Sequence, residues 1–409
     1  MMTKILDGIK IIDFTQGHTG SYGTMLLADF GAEVIKIEDH TKGGDVLRGS
    51  FPKNERGSAY HSYMNRGKKS VCVDKTLKEG QTFIMKLIEK ADVVCDSFAA
   101  GELEKYNIGY EAARKVNPEI IYASHTGFGK TGSLSSSAGC DLTSEALCGL
   151  MQVTGFPDGG PTAHGSRIAD QFGGHFFAAS IVMALMVKNE TGKGQQIDVA
   201  SADCMLTALE DCLAEAFMKG VTFHREGNGS RSIAPYDTFE VKDGIFSTAV
   251  STNSQWEKFC KAMKMEEFID DPRYNSNEAR GENYYTENGR VGLRDIIADK
   301  FKDMTRQEII NLLAPWNIPS GPGLTVQDAF EDEHLNSRNM VLDVEDKTIG
   351  RIRMPGIPIK ISGVDDRAVK SAPKLGEDTA KIAEEFGYDK NKLKEMSEKG
   401  VVMCERSDL

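Results

Sequence analysis

The strongest constraint on what this chain can fold into is the alternation of short apolar strands with helices over its first 130 residues. Ile9–Phe14, Glu33–Ile37, Ser70–Val73, Val93–Asp96 and Ile120–Ser124 read as strands, with helical patterns at Tyr22–Phe30, Glu79–Lys90 and Glu102–Val116. Strands separated by helices line up in parallel, with the helices covering the sheet faces. The expected fold class is therefore α/β, with a nucleotide-type parallel sheet. Ligands of such sheets collect at the carboxyl ends of the strands, here Thr15–Gly20, Glu38–Arg48, Asp74–Thr76, Ser97–Gly101 and His125–Gly129.

A chain of 409 residues implies about two domains. Ile197–Val199 reads as a further strand that enters a helix over Asp203–Met218, where Met205 and Met218 are expected to pack. Phe223–Ile233, dense in Gly, Ser and charge, is the strongest linker candidate. Tyr236–Val250 then reads as antiparallel strands around an Asp243–Gly244 turn. Helical patterns follow at Gln255–Met263, Val291–Phe301 and Arg306–Leu313, strand-like alternation at Ile349–Ile361, and helices at Asp378–Phe386 and Lys390–Lys399. The expected division is a large α/β domain over 1–222, a linker and small α+β domain over 223–345, and a return to the large domain over 346–409.

A formal net charge of −12 argues against general binding to nucleic acid or an anionic membrane. Eight scattered cysteines form no CxxC and suit no common zinc spacing, which fits reduced thiols and a cytoplasmic location. Met1–Lys10 is too polar for a signal peptide, and no apolar run of 18 residues is evident.

Several familiar motifs fail on inspection. Gly17, Gly20 and Gly23 follow the first strand and Glu38 ends the second, but a dinucleotide fingerprint needs glycine where Thr19 stands. Gly127–Thr131 ends like a phosphate loop, yet Ser124 stands at its first glycine position and no helical pattern follows. No GxSxG elbow, HExxH or paired-histidine spacing occurs, and no metal is expected. Asp170 is different. It lies where the Gly165–Arg167 loop gives way to an apolar helical pattern (Phe172, Phe176, Ala179, Met183, Val187). Its carboxylate then sits at a helix N-terminus, where the dipole favours the ionised form and where an Asp also serves as a plain cap.

A set of separated motifs carries a resemblance. Near the N-terminus are Leu6-Asp7-Gly8-Ile9-Lys10, Asp13-Phe14-Thr15, the run Met25 to Glu38, Asn65-Arg66-Gly67-Lys68-Lys69-Ser70-Val71 and Asn117-Pro118. In the centre are Gly149-Leu150-Met151, Thr154 to Gly159, Ala169-Asp170 and Thr191-Gly192-Lys193-Gly194-Gln195. Ile318 to Pro322, Asn336 to Met340, Pro355-Gly356-Ile357-Pro358 and Pro373 to Glu377 follow. In order and spacing the chain resembles, over essentially its whole length, the CaiB/BaiF family of class III (formyl-CoA transferase-like) coenzyme A transferases.

The resemblance implies a Rossmann-like large domain, an interlocked homodimer, and CoA transfer from an acyl-CoA to a free carboxylic acid. Asp170 matches the family's nucleophile. It would attack the thioester to give an aspartyl–acyl anhydride and CoA thiolate, which then forms an aspartyl–CoA thioester and releases the first acid. The acceptor acid reverses the two steps. By family position, Gly17, His18 and Thr19 fall beside the adenine and pantetheine entrance, and Val73, Asp74, Lys75, Thr76, Ser97 and Phe98 border the adenosine. Lys105 falls at the phosphates and Gly127 and Phe128 at the thiol end. Thr126 replaces a lysine of the formyl-CoA branch, whose glycine-rich loop is represented only by Gly227–Ser230, so a bulkier or different acid is expected. The α-methylacyl-CoA racemases share the fold but need a Gly-His-Asp triplet, which here is Gly139–Cys140–Asp141. A non-catalytic CoA-binding protein is the remaining alternative.

Overall fold

The computed structural model describes residues 4–220, 223, 225–230, 232–287, 289–365 and 369–404. The chain divides into two compact units: residues 1–150, 163–219 and 334–409 form the first, and 151–162 with 220–333 the second.

Twelve strands are present among the described residues: β1 (Lys10–Phe14), β2 (Glu33–Glu38), β3 (Lys69–Val73), β4 (Val93–Asp96), β5 (Ile121–Thr126), β6 (Gln196–Ala200), β7 (Tyr236–Val241), β8 (Gly244–Ala249), β9 (Ser320–Gly323), β10 (Val341–Asp346), β11 (Gly350–Pro355) and β12 (Val402–Met403). In the first unit the order is β12-β3-β2-β1-β4-β5-β6, parallel except for β12, which runs antiparallel to β3. The winding reverses between β1 and β4, so the loops after these two strands diverge and open a crevice. The helices that matter for the site are α1 (Ser21–Asp29), α2 (Ala59–Met64), α3 (Lys78–Glu89), α4 (Tyr110–Val116), α5 (Asp141–Cys148), α6 (Leu150–Val153), α7 (Ile168–Thr191), α8 (Ser201–Thr207) and α9 (Glu210–Lys219).

One sheet face packs on α3, α4 and the C-terminal helices Thr379–Glu385 and Lys390–Glu398, burying Phe83, Ile84, Leu87, Ile88, Ala113, Ile382 and Leu393. The other packs on α1 and α7 through Met25, Leu26, Leu27, Phe177 and Ile181. The second unit is the three-stranded antiparallel sheet β7-β8-β9 with helices Asn253–Met263, Leu293–Phe301 and Arg306–Leu313 around Phe239, Phe246, Trp256, Phe259 and Phe301.

Three expectations need correction. Glu102–Val116 is not one helix. A short turn at Glu104–Tyr106 ends at Asn107, whose φ of 57° is left-handed and stops helical propagation before α4. Asp203–Met218 is likewise split into α8 and α9, and Met218 is 81% exposed rather than packed. Finally, α7 spans 24 residues, and among the described residues it is one helix long and apolar enough to cross a membrane by length and composition. Within the first unit its Ala169, Gly173, Gly174, Phe177, Ala178, Ile181 and Ala184 are buried. In the expected linker, Arg225 donates to the Gly159 carbonyl (2.7 Å) and the Gly227 amide to the Gly155 carbonyl (2.9 Å), while His224 and Arg231 lie outside the described residues.

Candidate active site

Asp170 is the third residue of α7, and it does not cap its own helix. The amides of Ala169 and Asp170 both donate to Oδ1 of Asp141, at 2.9 and 3.1 Å. Asp141, the first residue of α5, thus satisfies two of the donors that every helix N-terminus leaves open. Asp170 is released from that duty. Its Oδ1 instead accepts a hydrogen bond from the Thr19 hydroxyl at 2.8 Å. The residue is 4% exposed. Burial pushes the carboxyl up to about 6, reinforced by the Asp141 charge and opposed by the Thr19 hydrogen bond and the Arg167 guanidinium. The side chain is therefore ionised at neutral pH yet poorly solvated, a combination that raises the reactivity of a carboxylate nucleophile.

Rigid neighbours hold it there. Glu145, one turn after Asp141 on α5, accepts the His164 amide at 2.9 Å and fixes the loop that enters α7. Gly23 of α1 and Gly174 of α7 face each other, and a Cβ on Gly23 would lie 2.8 Å from the Gly174 carbonyl oxygen. That close approach sets the spacing between the helix that follows Thr19 and the helix that carries Asp170. Gly20 ends the β1–α1 loop with φ of +82°, and a Cβ there would strike Thr15 at 2.6 Å.

The same loop is anchored from below by charges inside the sheet. Lys36 donates to the Thr15 carbonyl at 2.6 Å and pairs with Asp45 at 2.7 Å, while Asp45 accepts the Gly17 amide at 3.2 Å. Lys68 bonds Asp13 at 3.0 Å, and Asp13 in turn accepts from Thr15 and Thr24. Buried ions survive only when paired and hydrogen-bonded in this way.

The Gln16 amide donates to the Ser97 hydroxyl at 2.9 Å, joining the β1 and β4 loops at the crevice. Beside them a cavity of about 280 Å³ is lined by Phe14, Gln16, Asp39, Lys42, Val73, Lys75 and Phe98, among others. Lys75 reaches 5.8 Å from the Phe98 ring centre and 5.6 Å from that of Tyr106. Of the residues the resemblance assigns to CoA, Val73, Lys75 and Phe98 thus share one cavity. Gly17, His18, Thr19 and Ser97 sit on the loops that lead from it to Asp170. Asp74 and Thr76 close a turn on each other, with the Thr76 hydroxyl donating to Asp74 at 2.7 Å. Gly127 and Phe128 pack against Gly139. Lys105 is not among the cavity's lining residues; its ammonium is solvent-exposed and bound to Glu102 at 2.6 Å. His18 stacks edge-on against Tyr60 at 4.2 Å, and burial lowers its imidazole to about 4.

Among the described residues, no group of three or more His, Cys, Asp or Glu side chains is arranged to hold a metal ion. Glu38, standing where a ribose-binding acid would, is engaged by Arg48 at 2.6 Å and by the Ser70 hydroxyl at 2.6 Å, and despite its burial is held down at about 2.

Comparison with known proteins decides the class. A sequence model of CoA-transferase family III matches residues 6–379. The chain belongs to that family. It is an enzyme of this class, a CoA-transferase. A succinyl-CoA:mesaconate CoA-transferase from Haloarcula hispanica is 34% identical over 392 residues, covering 93% of this chain and 96% of that protein. A mouse (Mus musculus) succinyl-CoA:glutarate CoA-transferase is 32% identical over 400 residues, 98% of this chain and 90% of that one. The crystal structure of a CAIB/BAIF family protein from Brucella suis superposes with a TM-score of 0.80 at 34% identity, covering 93% of this chain and 99% of that one.

Two groups at this family III site were invisible to motif reading. Asp141 was legible only as part of a triplet lacking histidine, and its carboxylate turns out to hold the N-terminus of α7. Outside any motif, Lys36 and Glu38 did leave a signal: they are charges in the strand Glu33–Glu38, of which every residue after Glu33 is buried.

Proposed function

We propose that Asp170 is the nucleophile of a CoA transfer between an acyl-CoA and a free dicarboxylic acid. The observation that carries this reading is a nearly inaccessible carboxylate, raised to about 6, whose helix is capped by another residue. Asp170 Oδ2 attacks the thioester carbonyl carbon, and the C–S bond breaks to release CoA thiolate and leave a mixed anhydride. The thiolate attacks the aspartyl carbonyl, the anhydride C–O bond breaks, and the first acid leaves as carboxylate. The acceptor carboxylate then attacks the aspartyl thioester and the same two steps run backwards. No net proton is taken up, so no general acid is needed.

The tetrahedral oxyanions require donors near Asp170. The backbone N–H groups of His18 and Thr19, adjacent to the hydroxyl that binds Asp170, are engaged by no other described residue and serve that role. The nucleotide portion of CoA occupies the strand-end cavity, with Phe98 as an apolar wall and Lys42 and Lys75 supplying charge for its phosphates. A short dicarboxylate pair is favoured because the relatives above are named for succinyl-CoA with mesaconate or glutarate. Exposed apolar residues on α7 and α9, including Met183, Met186 and Phe217, support a homodimer rather than membrane insertion, and eight scattered cysteines with no CxxC motif support a cytoplasmic enzyme.

The test is to incubate the enzyme with succinyl-CoA, add hydroxylamine, and map the modified peptide by mass spectrometry. An aspartyl hydroxamate at Asp170 is expected. Turnover without any label at that residue overturns the nucleophile assignment.

A further inference from the structure

The first unit contains a second charged cavity, of about 430 Å³, whose lining includes Arg48, Arg56, His61, Lys347, Thr348 and Lys374. It shares no lining residue with the strand-end cavity. Two of its four cations are already balanced. Arg48 pairs with Glu38 at 2.6 Å, and Lys347 pairs with Glu377. Glu377 also accepts the Lys374 amide at 2.9 Å. The Arg56 guanidinium and the Lys374 ammonium, by contrast, form no hydrogen bond or ion pair among the described residues, although the Lys374 charge does act on Glu377.

The histidine on this wall adds no charge of its own. His61 is 5% exposed, lines this cavity, and its Nε2 has no hydrogen-bond partner. Burial and the Arg48 charge lower the imidazole to about 3, so it is neutral and carries one N–H. The nearby donors of α2 do not need a ligand, because the Ser58 hydroxyl already accepts the Tyr60 and His61 amides at 3.2 and 3.3 Å.

The walls are preformed. A Cβ on Gly57 would come within 3.0 Å of Thr348 Cγ2, so the Lys53–Ser58 hairpin abuts the β10–β11 turn. Asp346 fixes that turn by accepting the Thr348 and Ile349 amides at 2.8 and 3.0 Å. Arg48 donates to the Pro373 carbonyl at 3.3 Å and holds the third wall.

We propose that this cavity binds a small phosphomonoester, its dianionic head held by Arg56 and Lys374. Two cations with no carboxylate in contact suit a dianion, and a guanidinium offers phosphate two parallel donors. The volume exceeds what a lone phosphate fills and leaves room for a small organic group. The inference does not depend on Asp170 being the nucleophile.

Calorimetric titration of the intact enzyme with glycerol 3-phosphate, inorganic phosphate and succinate tests it. Binding is expected in the order glycerol 3-phosphate, inorganic phosphate, succinate. Arg56→Glu/Lys374→Glu, at two exposed positions, is expected to weaken glycerol 3-phosphate at least about tenfold, whereas Lys75→Glu in the other cavity leaves it unchanged. No binding at about 10 mM, a loss confined to Lys75→Glu, or succinate binding as tightly as the phosphates overturns the proposal. Equal affinity for the two phosphates assigns the site to free phosphate and overturns the ester. Since charge reversal can act at long range, the neutral pair Arg56→Ala/Lys374→Ala must also weaken binding, with unchanged circular dichroism.

Discussion

Replacing Asp170 with Asn should stabilise the protein while abolishing transfer, and the stabilisation should depend on pH. Raising the carboxyl from its ordinary 3.8 to about 6 means that the fold disfavours the charged form by about 3 kcal/mol. The folded value lies above the unfolded one. The penalty is therefore fully present above about pH 6 and disappears as the pH falls towards 4. Asn keeps an acceptor for the Thr19 hydroxyl and carries no charge, but its buried amide N–H groups lack partners, which costs back ~1–2 kcal/mol. The net gain at pH 8 is then about 1–2 kcal/mol. The pH-dependent part is free of that correction, because the amide does not titrate. Between pH 8 and pH 4 the wild type should gain about 2–3 kcal/mol on the variant, roughly 2–4 °C in Tm for a protein of this length. Differential scanning fluorimetry of both proteins across that range measures it, and transfer should drop at least about 10³-fold in the variant. A Tm difference that does not change with pH would falsify the claim that burial, rather than some distant effect, sets the state of this carboxylate.

Other outcomes follow from the same geometry. Thr19→Val removes the hydrogen bond that favours the ionised carboxylate, so the acid limb of kcat/KM should move to higher pH; Asp141→Asn keeps an acceptor for both amides but removes a repelling charge and should move it lower. Steady-state pH profiles of the two variants read these opposite displacements. Lys75→Ala should raise KM for the acyl-CoA about tenfold with kcat nearly intact, while Lys105→Ala, whose ammonium is solvated and bound to Glu102, should leave both within about twofold. Gly174→Ala places a Cβ 2.9 Å from the Tyr22 ring and should cost ~1–3 kcal/mol in urea unfolding by forcing α1 and α7 apart.

Much of the first unit could be read from the chain because each strand and helix there is specified locally. Val93–Asp96 coincides with β4, and Tyr22–Phe30 lies one residue from α1. The errors fall where local pattern is weakest. Helical periodicity runs straight across Asn107, and only the backbone of the folded chain turns it left-handed. The two-residue β12 has no legible pattern, since its pairing with β3 comes from more than 300 residues away. In the site, Asp170 could be singled out as an acid at a loop–helix junction, but sequence could not separate a cap from a nucleophile.

What the sequence by itself determined is the alternating α/β order, the parallel sheet that order requires, and the position of an acid at the start of a long apolar helix. Periodicity and chain connectivity suffice for these, because hydrophobic burial and backbone hydrogen bonding leave few other arrangements. Tertiary structure alone decided that Asp141 takes over the cap, that the Thr19 hydroxyl bonds Asp170, and that the carboxylate is shut away from water. It also brought Arg56, His61 and Lys374 together around one cavity. Desolvation and pairing depend on which atoms surround a charge, and those neighbours come from stretches of chain up to about 150 residues apart around Asp170 and about 300 residues apart around His61.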